Sequence, residues 1–161
     1  MWCAATSLTQ QVVPCTPEDW AQMDHTTIPP HLQDYVQTHP EQVYFSYLDT
    51  HFSVHQNDTT TQAAAPDHNV QGILRMQGHT VPSPEVPNRW ETWFIGGSCT
   101  AQPGQDMEPW DQVFGGTSSS LEYQLPQAFP AYNDVLYLDE TLRISVGNFG
   151  TRIINQRPIV Q

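Results

Sequence analysis

The chain has 161 residues and a mass of 18.2 kDa, a length that suits a single compact domain. Five basic and 17 acidic side chains give a formal net charge of -12, which disfavours nucleic acid and electrostatic docking to anionic lipid. The basic residues are all arginines, so a Schiff-base lysine and a P-loop lysine are excluded.

The N-terminal part of the chain gives little periodic signal. Residues 1–30 are rich in Pro, Thr and Gln, which predicts an irregular arm with one helical turn near Pro17. From Pro30 to Thr38, apolar residues recur at helical spacing after an initial proline, which predicts a short helix. No targeting segment is visible, and three widely spaced cysteines predict free thiols rather than a disulfide framework or a zinc site.

After Pro40 the apolar period changes to two. Alternation predicts strands over residues 43–55, 70–77, 89–95 and 121–125, and two or three more strands between residues 135 and 155. The Gly147 to Gly150 turn predicts a hairpin near the end of the chain. Residues 57–69 and about 96–116 are predicted to be loops. The fold class is therefore all-β, an antiparallel meander closing as a barrel or sandwich, with one domain over residues 31–161.

Asp49, His51 and His55 lie two or four residues apart on one predicted strand and could suggest acid–base or metal chemistry. In a strand, however, His51 and His55 are separated by roughly 13 Å, which is too far for one metal ion. A polar sheet face is the better interpretation, and neither a metal site nor a cofactor is predicted. The other five histidines are scattered and are expected to be exposed to solvent: His25, His31, His39, His68 and His79.

The segment from Arg89 to Ile95 is the most aromatic of the chain. Trp90, Trp93 and Phe94 could line an apolar pocket inside a barrel, because ligand cavities combine such side chains with a few polar groups. The alternative is that they are ordinary core residues. Alternation places Trp90 and Phe94 on one face and Trp93 on the other.

The stretch from Val135 to Gly150, VLYLDETLRISVGNFG, is the most specific motif. It resembles the C-terminal signature of the plastid lipid-associated proteins, also called fibrillins or plastoglobulins. The matching positions are Tyr137, Leu138, Asp139, Glu140, Leu142, Arg143, Ile144, Gly147 and Gly150. The match covers about a tenth of the chain, and Val146 stands where that family usually has a basic residue. We interpret the motif as structural, with Asp139 and Glu140 at a turn.

The resemblance implies a lipocalin-like barrel that binds a hydrophobic molecule in a photosynthetic cell, either cytoplasmic or associated with a plastid or thylakoid. The ligand would be an isoprenoid, quinone, carotenoid or acyl lipid, and peripheral lipid association is a further expectation. Two alternatives stay open. One is a lyase or isomerase acting on a bilin or lipid through Asp49, His51 or His55; the other is a scaffold that binds a protein through a sheet edge or the acidic segment from Asp106 to Asp111.

Overall fold

A computed structural model describes residues 2–55, 69–116, 118–148 and 150–156. Its strands are β1 (Trp2–Pro14), β2 (Tyr44–His55), β3 (Asn69–Pro82), β4 (Arg89–Ala101), β5 (Ser120–Leu138), β6 (Leu142–Gly147) and β7 (Arg152–Gln156). Its α-helices are α1 (Pro17–Gln22), α2 (Gln33–Thr38) and α3 (Met107–Phe114), and short 3-10 turns span His25–Thr27, Pro30–Leu32 and Pro40–Gln42. The predicted loop over residues 57–69 lies outside the described residues, except that Asn69 begins β3.

The strands form one antiparallel sheet in the order β1-β2-β3-β4-β5-β6-β7, so each strand is hydrogen-bonded to its neighbours in the chain. This is the meander order of up-and-down barrels. The predicted fold class, an antiparallel β-barrel with few helices, is therefore confirmed. The strand β5 is longer than expected because it continues through Pro126 and Pro130, which alternation alone had left between two strands.

The N-terminal arm is a correction to the sequence-based expectation. Residues Trp2–Pro14 form β1, and only the helical turn near Pro17 is as predicted. Most side chains of β1 are exposed, so the strand has no buried face to produce an alternating apolar pattern. Its pairing with β2 is a long-range backbone interaction that sequence periodicity does not report.

The chain divides into two compact units. The first comprises Met1–Gln10, Leu48–Met76 and Gly97–Gln124. Its core contains Val54, Val70, Ala101 and Trp110.

Helix α3 belongs to this first unit, although its segment was predicted to be a loop. Asp106 caps it by accepting a hydrogen bond from the backbone N–H of Glu108, and Gly115 ends it in the left-handed conformation, with φ of 75°. Trp110 is fully buried, and its indole N–H donates to the carbonyl of Ser118 at 3.0 Å. The local signals for this helix were present but were overlooked in a segment rich in Gly, Pro and Asp: Met107, Trp110 and Phe114 recur at helical spacing between the cap Asp106 and Gly115.

The second unit comprises Gln11–Tyr47, Gln77–Gly96 and Leu125–Gln161. Helix α1 begins with a capping box in which Thr16 and Asp19 satisfy each other's backbone N–H groups. The predicted helix from Pro30 to Thr38 is confirmed as a 3-10 turn followed by α2. Leu32 and Val36 from this segment are buried in the core of the unit. The other buried members of that core are Ile28, Val43, Val81 and Trp93.

The sheet residues of this core, Val43, Val81 and Trp93, define a helix-covered face of the sheet in the second unit. Phe45 and His79 belong to the same face by strand alternation and by the ring contacts of His79 with Phe45 and Trp93. In the part of the chain that the structure describes, no helix combines the length and the apolar character needed to cross a membrane.

The approach of β3 to β4 leads to a stability prediction. A Cβ built on Gly78 would lie 2.0 Å from the carbonyl oxygen of Trp93, so Gly78→Ala forces the two backbones apart. We expect a loss of about 3 kcal/mol in the free energy of unfolding, measured by urea denaturation. Gly116→Ala is the control, because a Cβ there meets nothing within 4 Å. Equal effects of the two substitutions would contradict the prediction.

Candidate ligand-binding site

The aromatic segment of β4 sends its side chains to two faces. Trp93 is fully buried on the helix-covered face, where it packs with Leu32 and Val81. Trp90 and Phe94 lie on the opposite face by strand alternation. The three aromatic residues proposed from sequence as a pocket lining therefore do not share one face, and Trp93 is a core residue.

The opposite face carries buried hydroxyl groups. Thr92 lies between Trp90 and Phe94 on β4, and its hydroxyl donates to that of Thr80 on β3 at 2.9 Å. Ser46 lies two residues beyond Tyr44 on β2, and the ring of Tyr44 contacts that of Trp90 at a centroid distance of 5.5 Å. These contacts place Ser46, Thr80 and Thr92 on the same face.

Strand register adds a fourth hydroxyl. Arg89 pairs with Asp134 through two hydrogen bonds of 2.6 and 2.9 Å, and by alternation Arg89 lies on the same face of β4 as Trp93. Val135 therefore points to the opposite face, and its register partner on β6 is Ser145. We call the set Ser46, Thr80, Thr92 and Ser145 the hydroxyl face.

All four residues of the hydroxyl face are at most 3% exposed. The two threonines are satisfied, since Thr92 donates to Thr80 and Thr80 donates to the carbonyl of Glu91 at 3.0 Å. The hydroxyls of Ser46 and Ser145, in contrast, have no hydrogen-bond partner among the described residues. A buried hydroxyl without a hydrogen-bond partner costs about 1 to 3 kcal/mol of stability. Both serine hydroxyls are therefore available to form a hydrogen bond with a polar atom of a ligand.

His79 was expected to be exposed, and this expectation is wrong. Its side chain is 4% exposed on the helix-covered face, between the rings of Phe45 and Trp93, with centroid distances of 5.2 and 5.5 Å. Burial lowers the pKa of His79 to about 4, against a smaller opposing effect of the Asp19 carboxylate. One sequence signal could have indicated the burial of His79: it stands two residues before Val81, on the same face of the strand.

The three cysteines are free, as predicted. Cys15 packs against the core of the second unit, and burial, reinforced by the charge of Asp19, raises the pKa of its thiol to about 11. This thiol is therefore a poor nucleophile at neutral pH.

The structure places Asp49 and His51 on β2, as predicted, and Asp49 is engaged in an ion pair. Both carboxylate oxygens of Asp49 accept hydrogen bonds of 2.7 Å from Arg75, which lowers the pKa of Asp49. The backbone carbonyl of His51 accepts from Thr6 at 3.3 Å, and the side chain of His55 lies outside the described residues.

Because the carboxylate of Asp49 is ionised and accepts two hydrogen bonds from Arg75, it is not a ready proton donor. Among the residues that the structure describes, no group of three or more His, Cys, Asp and Glu side chains is arranged to hold a metal ion. Acid–base chemistry on this strand stays a hypothesis.

The C-terminal motif forms the turn between β5 and β6. The carboxylate of Asp139 accepts hydrogen bonds from the Tyr137 hydroxyl at 2.6 Å and from the backbone N–H groups of Thr141 and Leu142, each at 2.7 Å. These bonds hold the pKa of Asp139 well below its usual range. Glu140 is exposed in the same turn. Asp139 thus acts as the structural turn residue that the sequence suggested.

The following hairpin is also as predicted. Arg143 of β6 stands opposite Leu138 and Asn155, and the hairpin closes with hydrogen bonds between Gly147 and Thr151 and between Gly150 and Gly147. Gly150 has a φ of 73°, a conformation that favours glycine.

Comparisons of the chain with protein-family models, with curated proteins and with solved structures found no match. The resemblance of the C-terminal motif to the plastid lipid-associated proteins therefore stays a prediction.

The burial of His79 predicts a pH dependence of stability. The unfolded chain takes up a proton near the ordinary histidine pKa of 6.5, whereas the folded chain resists it until about pH 4. Stability is therefore retained above pH 6.5 and falls by about 3 kcal/mol as the pH drops from there to about 4. The substitution His79→Leu should remove this part of the acid sensitivity, as measured by denaturant unfolding across the same pH range. The exposed His25→Gln serves as control, and an unchanged pH slope in His79→Leu would refute the assignment.

Proposed function

We propose that the hydroxyl face of the second unit binds a hydrophobic small molecule that carries a polar end, without catalysing a reaction on it. The observation that supports this most directly is the pair of buried serine hydroxyls, Ser46 and Ser145, that have no partner among the described residues. Ligand sites in proteins combine apolar walls with a small number of polar groups in this way.

Aromatic side chains supply the apolar part of the site. Trp90 and Tyr44 contact each other edge to face, and Phe94 is 6% exposed on the same face of β4. Large aromatic rings bury much area with little loss of conformational entropy, which suits a long apolar ligand. The polar end of the ligand would then accept from or donate to Ser46 or Ser145, recovering part of the cost of burying that hydroxyl.

The ligand class that fits this site is an amphipathic lipid such as an isoprenoid alcohol, a quinone, an oxygenated carotenoid or an acyl lipid. The resemblance of the C-terminal motif to the plastid lipid-associated proteins supports the same class and a photosynthetic cell as the setting. Native mass spectrometry of the protein purified from such a host, followed by organic extraction, would identify a lipophile that co-purifies. An apo mass from every preparation would argue against the proposal.

The first ligand prediction concerns Trp90. Delipidated protein should bind the neutral dye Nile red at about one molecule per chain, and Trp90→Ala should weaken binding about ten-fold by removing aromatic contact. Trp90→Phe should retain most of the affinity. Leu8→Ala, an exposed apolar residue of β1, is the matched control. Fluorescence titration measures all four, and equal affinity in Trp90→Ala and the wild type would contradict the site.

The second prediction separates binding from stability at the unpartnered hydroxyl. Ser46→Ala removes an unsatisfied buried group and should raise the free energy of unfolding by about 1 kcal/mol, whereas Thr92→Val removes a satisfied one and should lower it by about as much. The same Ser46→Ala change should weaken binding of farnesol about five-fold and leave binding of the hydrocarbon farnesene unchanged. Denaturant unfolding and competition with Nile red give the two readouts. A destabilised Ser46→Ala, or equal losses for both isoprenoids, would count against the role of Ser46.

A further inference from the structure

The last three strands expose an apolar patch at one end of the sheet order. Tyr137, Ile144 and Ile154 stand opposite one another in register across β5, β6 and β7. Tyr137 is 48% exposed and Ile154 is 69% exposed. Leu136 and Leu138, which flank Tyr137, are 60% and 65% exposed. Tyr137, Ile144, Arg152 and Ile154 lie on one face of the three strands by register and alternation, and we call these four residues the C-terminal patch.

Strand β7 lies at the edge of the described sheet and pairs there with β6. Its burial alternates, so Arg152, Ile154 and Gln156 form an exposed face of the strand. Edge strands offer backbone N–H and C=O groups to a further strand, and an exposed apolar residue on such an edge strengthens that tendency. The strand thus presents both a backbone and a side-chain surface for an extended partner.

The charges of the chain are strongly segregated along the sequence. All 17 acidic residues lie at or before Glu140, together with two of the five arginines. Residues 142–161 contain the other three arginines and no acidic residue, so this segment carries a net charge of +3 while the rest of the chain carries -15. The net charge of -12 for the whole protein therefore gives no indication that residues 142–161 are basic.

The two remaining arginines are held in place by carboxylates. Arg75 is paired with Asp49 and Arg89 with Asp134. Close to the C-terminal patch, the carboxylate of Asp139 accepts from Tyr137, Thr141 and Leu142. Arg152, in contrast, is exposed on β7 beside Ile154. The exposed face of β7 thus combines a positive charge with an apolar side chain two residues away.

We propose that β7 accepts an extended segment of a partner protein, as an added antiparallel strand, in which an acidic residue stands two positions from an apolar one. In that pairing the acidic side chain faces Arg152 and the apolar side chain faces Ile154, because residues two apart lie on the same face. Backbone hydrogen bonds supply affinity and the two side-chain pairs supply selectivity. This binding is independent of the ligand proposed for the hydroxyl face.

Charge decides between this partner and two others. A second copy would bring its own β7, which carries Arg152 and no carboxylate, so self-pairing would offer Arg152 no ion pair. An anionic membrane would attract the three C-terminal arginines but repel a much larger negative charge on the rest of the chain. A protein strand needs contact with the edge alone, where the local charge is positive.

The test uses the full chain and a fluorescein-labelled synthetic peptide, Thr-Ile-Thr-Glu-Thr-Ile-Thr-Glu, followed by fluorescence anisotropy. Control peptides replace every Glu by Lys or every Ile by Ser, and should bind more weakly than the original. Arg152→Glu should weaken binding of the original peptide about five-fold, and Ile154→Ser should weaken it by a similar factor. Leu8→Ser on β1, at the other end of the strand order, should leave it unchanged. Binding should also weaken as salt is raised.

Three outcomes overturn the proposal. One is an absence of peptide binding, or equal binding of the Glu and Lys peptides. Another is a concentration-dependent dimer in sedimentation equilibrium that Ile154→Ser abolishes, which assigns the edge to a second copy. The third is binding to vesicles of phosphatidylcholine and phosphatidylglycerol without binding to the peptide, which assigns the patch to a lipid surface. Circular dichroism of each variant separates a loss of binding from a loss of folding, and Arg152→Lys, which keeps the charge, should retain binding.

Discussion

The close approach of β3 to β4 at Gly78 is the constraint on which the second unit depends. The backbone of β3 at Gly78 lies so close to the Trp93 carbonyl that no Cβ fits between them. The residues that follow Gly78 alternate between the two faces, as they do in any strand. His79 and Val81 enter the helix-covered core, and Thr80 reaches Thr92 on the hydroxyl face. The absence of a side chain at Gly78 thus permits the backbone approach beside which both the core residues and the proposed ligand-binding face lie.

Both faces of this sheet bury polar groups, and both hold atoms without a hydrogen-bond partner among the described residues: Nδ1 of His79 and Nε1 of Trp93 on the helix-covered face, and the hydroxyls of Ser46 and Ser145 on the hydroxyl face. On the helix-covered face, His79 stays neutral because burial lowers its pKa to about 4, and it packs as an aromatic ring between Phe45 and Trp93. On the hydroxyl face, small uncharged groups are buried and two of them lack a partner among the described residues. The hydroxyl face differs in that its unpartnered groups are serine hydroxyls, which can both donate and accept a hydrogen bond, and this capacity is a property expected of a binding surface.

The candidate site could be predicted only in part from the sequence. Alternation already separated Trp90 and Phe94 from Trp93, and it placed Ser46 beside Tyr44 on the same strand face. Ser145 gave no such signal, because its place beside Val135 depends on the register between β5 and β6. The burial of His79 was also missed, because a histidine next to a glycine is typical of an exposed turn. Whole-chain charge likewise hid the basic C-terminal segment, because a sum over residues carries no information about position.

The sequence by itself determined the elements whose signals are local. Period-two alternation specified β2, β3 and the final hairpin, and the helix after Pro30 followed from apolar spacing and a proline start. Helix α3 also had local signals, a cap at Asp106 and apolar residues at helical spacing, although they were overlooked. Only the tertiary structure decided that residues 2–14 form β1. Strand β1 exists because it pairs with the backbone of β2, and such a long-range partner leaves no local pattern in the sequence.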